Sequence, residues 1–119
     1  MGEAKRVLVV EDDDAIRTLL SDLLAEAGYD VQTARGGREA LGRVERAEPD
    51  LILLDHVMPE GDGTEFARAY AKRKGRAPII ALCAARDGDV WARTIGAAAH
   101  IVKPFDIDAL LATVAQHVG

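Results

Sequence analysis

The sequence predicts an α/β protein built on a doubly wound, five-stranded parallel sheet. Three observations carry that expectation. Two short, continuous apolar runs, Val7–Val10 and Leu51–Leu54, have the composition of strands buried on both faces. Between such runs, apolar residues recur at helical spacing, as in Ile16, Leu19, Leu20, Leu23, Leu24 and Ala27. The two patterns alternate along the chain, which implies crossover helices packed on both faces of one sheet.

Taken in order, Val7–Val10 is the first strand, and Glu11, Asp12, Asp13 and Asp14 follow it. The first helix carries the stripe just named and stops at Gly28. Tyr29–Ala34 reads as a second, weaker strand, Gly36-Gly37 as a turn, and Ala40, Leu41 and Val44 as a second helix ending before Pro49. Leu51–Leu54 is the third strand and runs into Asp55. Met58–Gly63, with Pro59, Gly61 and Gly63, is a turn-rich loop. Phe66, Ala67, Tyr70 and Ala71 mark the third helix, Pro78–Leu82 the fourth strand, and Val90–Ile95 a short, poorly patterned helix. Ala98–Val102 is the fifth strand. Ile107, Leu110, Leu111, Val114 and Val118 form a final amphipathic helix with Asp106 placed to cap it.

The chain has 119 residues, close to one average domain, and 49% of them are apolar, enough for a real core. No apolar run approaches the roughly 20 residues of a membrane span, and the start lacks the apolar core of a signal peptide. One cysteine, Cys83, excludes an internal disulfide framework and a multi-cysteine zinc site. These absences point to a soluble cytoplasmic protein with no membrane partner. The net charge of −5 argues against nucleic acid as the main partner. The basic cluster Lys72, Arg73, Lys74 and Arg76 reads as a solvated helix end. Residues 1–119 are expected to be a single domain with no output domain, because the last helix runs to the end of the sequence.

In doubly wound folds, function gathers at the carboxyl ends of the strands. Glu11 and Asp12 follow the first strand, Asp55 the third, Cys83 and Ala84 the fourth, and Lys103 and Pro104 the fifth. If the first and third strands are neighbours, three carboxylates converge. Two unit charges about 4 Å apart repel by about 4 kcal/mol at an effective dielectric near 20. Such a cluster requires protons or a divalent cation, and an all-oxygen set suits Mg²⁺. Lys103 places a positive charge opposite the acids. Each piece alone has a plainer reading: acids cap the next helix, a strand-ending Asp forms a turn, and a lysine is solvated. The agreement of three strand ends outweighs those readings.

These residues resemble the receiver domain of two-component response regulators. The resemblance is carried by Val9-Val10-Glu11-Asp12, by Asp55 with Met58-Pro59 and Asp62-Gly63, and by Lys103-Pro104-Phe105. It covers essentially the whole chain and implies the flavodoxin-like (βα)5 receiver fold of a stand-alone type. It implies that Asp55 is the phosphoacceptor, taking a phosphoryl group from a histidine kinase or histidine phosphotransfer protein. It further implies that Asp12 binds Mg²⁺ directly, that Glu11 holds it largely through water, and that the Val57 backbone carbonyl and Asp55 complete the protein ligands. Lys103 would contact the carboxylate and then the phosphoryl oxygens, and the bond before Pro104 would be cis. Aspartate is a suitable covalent acceptor, and phosphoryl transfer needs positive charge around the equatorial oxygens. No turnover of an external substrate is expected, and the downstream protein target is not legible.

Two positions depart from the family. Cys83 stands where a Thr or Ser hydroxyl normally meets the phosphoryl group, and a thiol is a weak donor. His100 stands where Tyr or Phe normally turns inward. The plain readings are a small packing residue and a partly exposed strand histidine. The stretch between Cys83 and Lys103 is short, so an irregular fourth helix is expected, with Trp91 either a core anchor or a partner contact. Val57 and Ala85 offer no amide or acid to orient water, so slow self-dephosphorylation is expected. The alternative reading is a docking module that works without phosphorylation. A haloacid-dehalogenase-like phosphatase would want a second Asp at Val57. A flavodoxin-like cofactor binder would want Gly, Ser and Thr where Glu-Asp-Asp-Asp stands.

Overall fold

The computed structural model describes residues 4–58, 63–84, 86 and 88–119. Pro59, Gly61 and Asp62 of the turn-rich loop, and Ala85, lie outside the described residues. The elements follow in order as β1 (Arg6–Val10), α1 (Asp14–Glu26), β2 (Asp30–Ala34), α2 (Gly37–Arg46), β3 (Leu51–Asp55), α3 (Gly63–Lys72), β4 (Ile79–Cys83), α4 (Gly88–Thr94), β5 (Ala99–Val102) and α5 (Ile107–His117). The strands form one parallel sheet in the order β2-β1-β3-β4-β5. The winding reverses between β1 and β3, so the crevice of a doubly wound sheet falls at their carboxyl ends.

Strand alternation splits the core into two layers. Val7 and Val9, Leu51 and Leu53, and Ile80 and Leu82 face Leu20 and Leu24 of α1 and Leu110 and Val114 of α5. Leu8 and Val10, Ile52 and Leu54, and Ala81 and Cys83 face the layer built by α2, α3 and α4, which contributes Ala40, Val44, Phe66, Tyr70 and Trp91. The central strands β3 and β4 are buried throughout, which is why they read as unbroken apolar runs. The weaker pattern of β2 reflects its place at an edge, where three of its five residues are half-buried.

Boundaries differ from the sequence reading where apolar periodicity gives no signal. Helix α2 begins at Gly37, β4 extends through Cys83, and α4 begins at Gly88. Asp13 caps α1 by accepting from the Ile16 N–H, and Asp106 caps α5 by accepting from the Ala109 N–H. Gly28 closes α1 with φ of 101°. Its N–H bonds the Ala25 carbonyl and the Tyr29 N–H bonds the Leu24 carbonyl, the paired pattern of a Schellman stop. The same pattern ends α3 and α4, with Lys74 (φ 60°) and Gly96 (φ 72°) at the left-handed position. Among the described residues, no helix is long and apolar enough to cross a membrane.

Candidate functional site

Each strand of the crevice continues its ladder one residue past its end, and this fixes where the polar groups point. The Glu11 N–H bonds the Ala34 carbonyl at 3.0 Å, the His56 N–H the Leu82 carbonyl at 3.1 Å, and the Lys103 N–H the Cys83 carbonyl at 2.8 Å. By alternation, Glu11, Asp55 and Lys103 share the register of the residues that face α1 and α5. His56 and Cys83 share the opposite register.

Glu11 and Asp55 are buried, at 1% and 5% exposure, and Asp12 is half-buried beside them. One carboxylate oxygen from each lies within 4.8 Å of the others. Lys103 bridges two of the three. Its Nζ donates to Glu11 Oε1 and to Asp55 Oδ1, each at 2.8 Å. Burial, opposed by the Lys103 hydrogen bond and reinforced by the Asp55 charge, pushes Glu11 up to about 7. Burial also works against the Lys103 charge, but the Asp55 and Glu11 carboxylates outweigh it and hold the ammonium above the ordinary lysine value. The Asp12 carboxylate makes no hydrogen bond or ion pair among the described residues. Arg17 donates to the Glu11 and Asp12 carbonyls at 3.1 and 3.3 Å, and also pairs with Asp14, which pins the start of α1 to the site.

The donor set is all oxygen and carries more acid than one lysine balances, which fits a hard divalent cation. Receiver domains bind Mg²⁺ in an acidic pocket of this kind. The open cleft above the acids has a volume of about 380 Å³ and is also lined by Val57, Cys83 and Ala84. Val57 is 72% exposed, and Ala84 is exposed.

Cys83 is buried, and its Sγ lies 3.7 Å from the Ile101 carbonyl oxygen. Burial raises the thiol above its ordinary value, so it is neutral at physiological pH. It packs against α4: a Cβ built on Gly88 would fall 2.4 Å from its Sγ. His100 is exposed on β5, on the face opposite Ala99 and Ile101. Trp91 is buried at 6% exposure in the layer of α2, α3 and α4. Its indole Nε1–H donates to Thr64 Oγ1 at 2.9 Å. The peptide bond between Lys103 and Pro104 is cis. The cluster Lys72, Arg73, Lys74 and Arg76 is exposed at the end of α3, away from the crevice.

Sequence reasoning missed His56. Its ring lines the cleft and stacks on Trp91 with centroids 4.0 Å apart and planes 14° from parallel. The available signal was its place directly after Asp55, with opposite strand parity.

Comparison with known proteins shows the family. The family model described as "Response regulator receiver domain" matches residues 7–115. The chain therefore belongs to the response-regulator receiver family. It is 41% identical over 103 residues to the alkaline phosphatase synthesis transcriptional regulatory protein PhoP of Bacillus subtilis, covering 85% of this chain and 43% of that protein. The chain spans about half the length, or less, of the curated relatives it matches. The structure of the chemotaxis protein CheY4 of Vibrio cholerae matches with a TM-score of 0.88 and 35% identity, covering 96% of this chain and 98% of that one. The receiver domain of the sensor histidine kinase PA1611 of Pseudomonas aeruginosa, solved with magnesium coordinated in its active-site cleft, matches with a TM-score of 0.89 and 31% identity, covering 98% of each chain.

Proposed function

We propose that Asp55 is the phosphoacceptor of this receiver and that a histidine kinase or histidine phosphotransfer protein supplies the phosphoryl group. The observation that carries the reading is the convergence of Glu11, Asp12 and Asp55 under a lysine that bridges two of them at 2.8 Å. An Asp55 oxygen attacks phosphorus in line. The new O–P bond forms as the P–N bond to the donor imidazole breaks, and the electron pair returns to the ring nitrogen. The bond to Oδ1 orients the Asp55 carboxylate, and the Lys103 ammonium then faces the negative phosphoryl oxygens. Asp12, Asp55 and the Val57 carbonyl are the residues to hold Mg²⁺, with Glu11 behind them. When bound, the ion neutralises charge on the transferred group. The apolar, exposed Val57 beside the acceptor is consistent with a long-lived acyl phosphate. The product changes the face offered to a protein target.

The docking-only alternative is not favoured. Cys83 and His100, which motivate it, leave the acids and Lys103 in place. The test is the intact mass after incubation with acetyl phosphate, with and without Mg²⁺, beside Asp55→Asn. One phosphoryl group gained with Mg²⁺, and none in the variant, is the expected result. A folded protein that gains nothing, and also refuses phosphate from candidate kinases, would restore the docking reading.

A further inference from the structure

We propose that the His56–Trp91 ring stack is the link through which the state of Asp55 reaches α4, in place of the hydroxyl-and-aromatic pair usual in receivers. The inference rests on Asp55 being the acceptor. Its starting point is that the acceptor and α4 lie on opposite sides of the sheet. Asp55 has the register of Leu51 and Leu53, which face α1 and α5, whereas Trp91 belongs to the layer of α2, α3 and α4. A change at Asp55 must therefore cross the sheet. His56 is the first residue that does so. Its N–H is bonded to the Leu82 carbonyl and its carbonyl accepts from the Gly63 N–H at 3.0 Å, so its backbone is held beside the acceptor while its ring is held by the stack on Trp91.

The far side of the link is equally well held. The Trp91 indole lies flat on His56, is tied to α3 through Thr64, and has its edge against Gly63. A Cβ at Gly63 would sit 2.7 Å from the Asp55 carbonyl oxygen and 2.9 Å from Trp91 Cζ2, so this glycine lets the indole and the acceptor backbone meet. Helix α4 has only seven residues, Gly88–Thr94, and Trp91 is its largest buried side chain. Displacing the indole displaces the helix. Packed rings of this kind shift between discrete arrangements rather than deforming smoothly.

The usual route has weak elements here. The Cys83 thiol is a poor donor, its sulfur already lies toward the Ile101 carbonyl, and it meets α4 as an apolar contact at Gly88. His100 is exposed on the surface of β5.

Trp91 is the only tryptophan, so it reports on its own stack. The experiment compares the chain with His56→Leu and His56→Phe, each before and after acetyl phosphate with Mg²⁺, at phosphoryl occupancy matched by intact mass. Trp91 emission and amide hydrogen exchange across 88–94 are read in each. In the unaltered chain both are expected to change on phosphorylation. In His56→Leu both changes are expected to fall below about a third of that size, and His56→Phe, which restores a stackable ring, is expected to recover them. Changes of full size in His56→Leu, or no recovery in His56→Phe, would overturn the link while leaving the acceptor reading intact. No mass gain in the unaltered chain would overturn the acceptor reading and the link with it.

Discussion

The two faces of the sheet at its carboxyl end are held by different forces. On the α1/α5 face, Glu11, Asp55 and Lys103 form a buried charge cluster joined by two 2.8 Å hydrogen bonds. On the α3/α4 face, Cys83, Gly88, His56 and Trp91 make apolar and ring contacts. Charge interactions in a semi-buried site respond strongly to a proton, a cation or a phosphoryl group. Close packing responds to volume and shape. On the proposed reading, the chemistry is sensed on one face and expressed as geometry on the other.

The largest way to break the comparison is to remove the lysine. Lys103→Met leaves two buried carboxylates without their partner and is expected to cost about 3 kcal/mol in metal-free urea unfolding at pH 8. The cost should shrink at pH 5, where Glu11 takes up a proton. An equal loss at both pH values would show that Lys103 acts by packing rather than by charge.

Glu11→Gln tests the same face in the opposite direction. Glu11 is pushed up to about 7 from 4.5, so the folded state prefers it protonated. Its favourable contribution is complete below pH 4.5 and is lost as pH rises through 7. Replacing it by Gln should leave stability unchanged at pH 4 and raise it by about 2 kcal/mol at pH 8 without metal. Thermal unfolding across that range checks the sign. A variant that loses stability at pH 8 would contradict it.

The smallest expected effect lies on the packed face. Gly88→Ala would place a methyl against the Cys83 sulfur at 2.4 Å and is expected to cost about 1 kcal/mol net, independent of pH. Cys83→Ala removes the sulfur but keeps its Cβ 3.0 Å from the added methyl, so in the double variant Gly88→Ala should cost clearly less than it does alone. A pH-dependent cost, or simple additivity, would show that this face does not work by shape alone.

How much of this was legible beforehand depends on the range of each interaction. The acids, Asp55 and Lys103 stood out because a parallel sheet brings all its carboxyl ends to one edge, so position in the sequence implied position in space. The apolar runs of β1 and β3 announced strands because both faces are covered. Asp13 and Asp106 announced caps because capping is local. The His56–Trp91 stack was invisible because it depends on how α4 crosses β3, which no periodicity records. The start of α4 at Gly88 was hidden because its first turn carries no apolar stripe. Lys74 gave no sign of its left-handed backbone, since that position usually falls to glycine, as at Gly28 and Gly96.

The division of the core into two layers by the sheet also bears on how this chain can change over time. Side chains such as Leu24 and Leu110 lie behind the strands from Phe66 and Trp91 and share no contact surface with them. Energetic effects of substitutions separated in this way tend to add, whereas neighbours within one layer compensate each other. The α1/α5 layer can then drift by its own internal compensations while the layer carrying the indole is selected separately. The five strands form a partition between two lineages of mutation within a single fold.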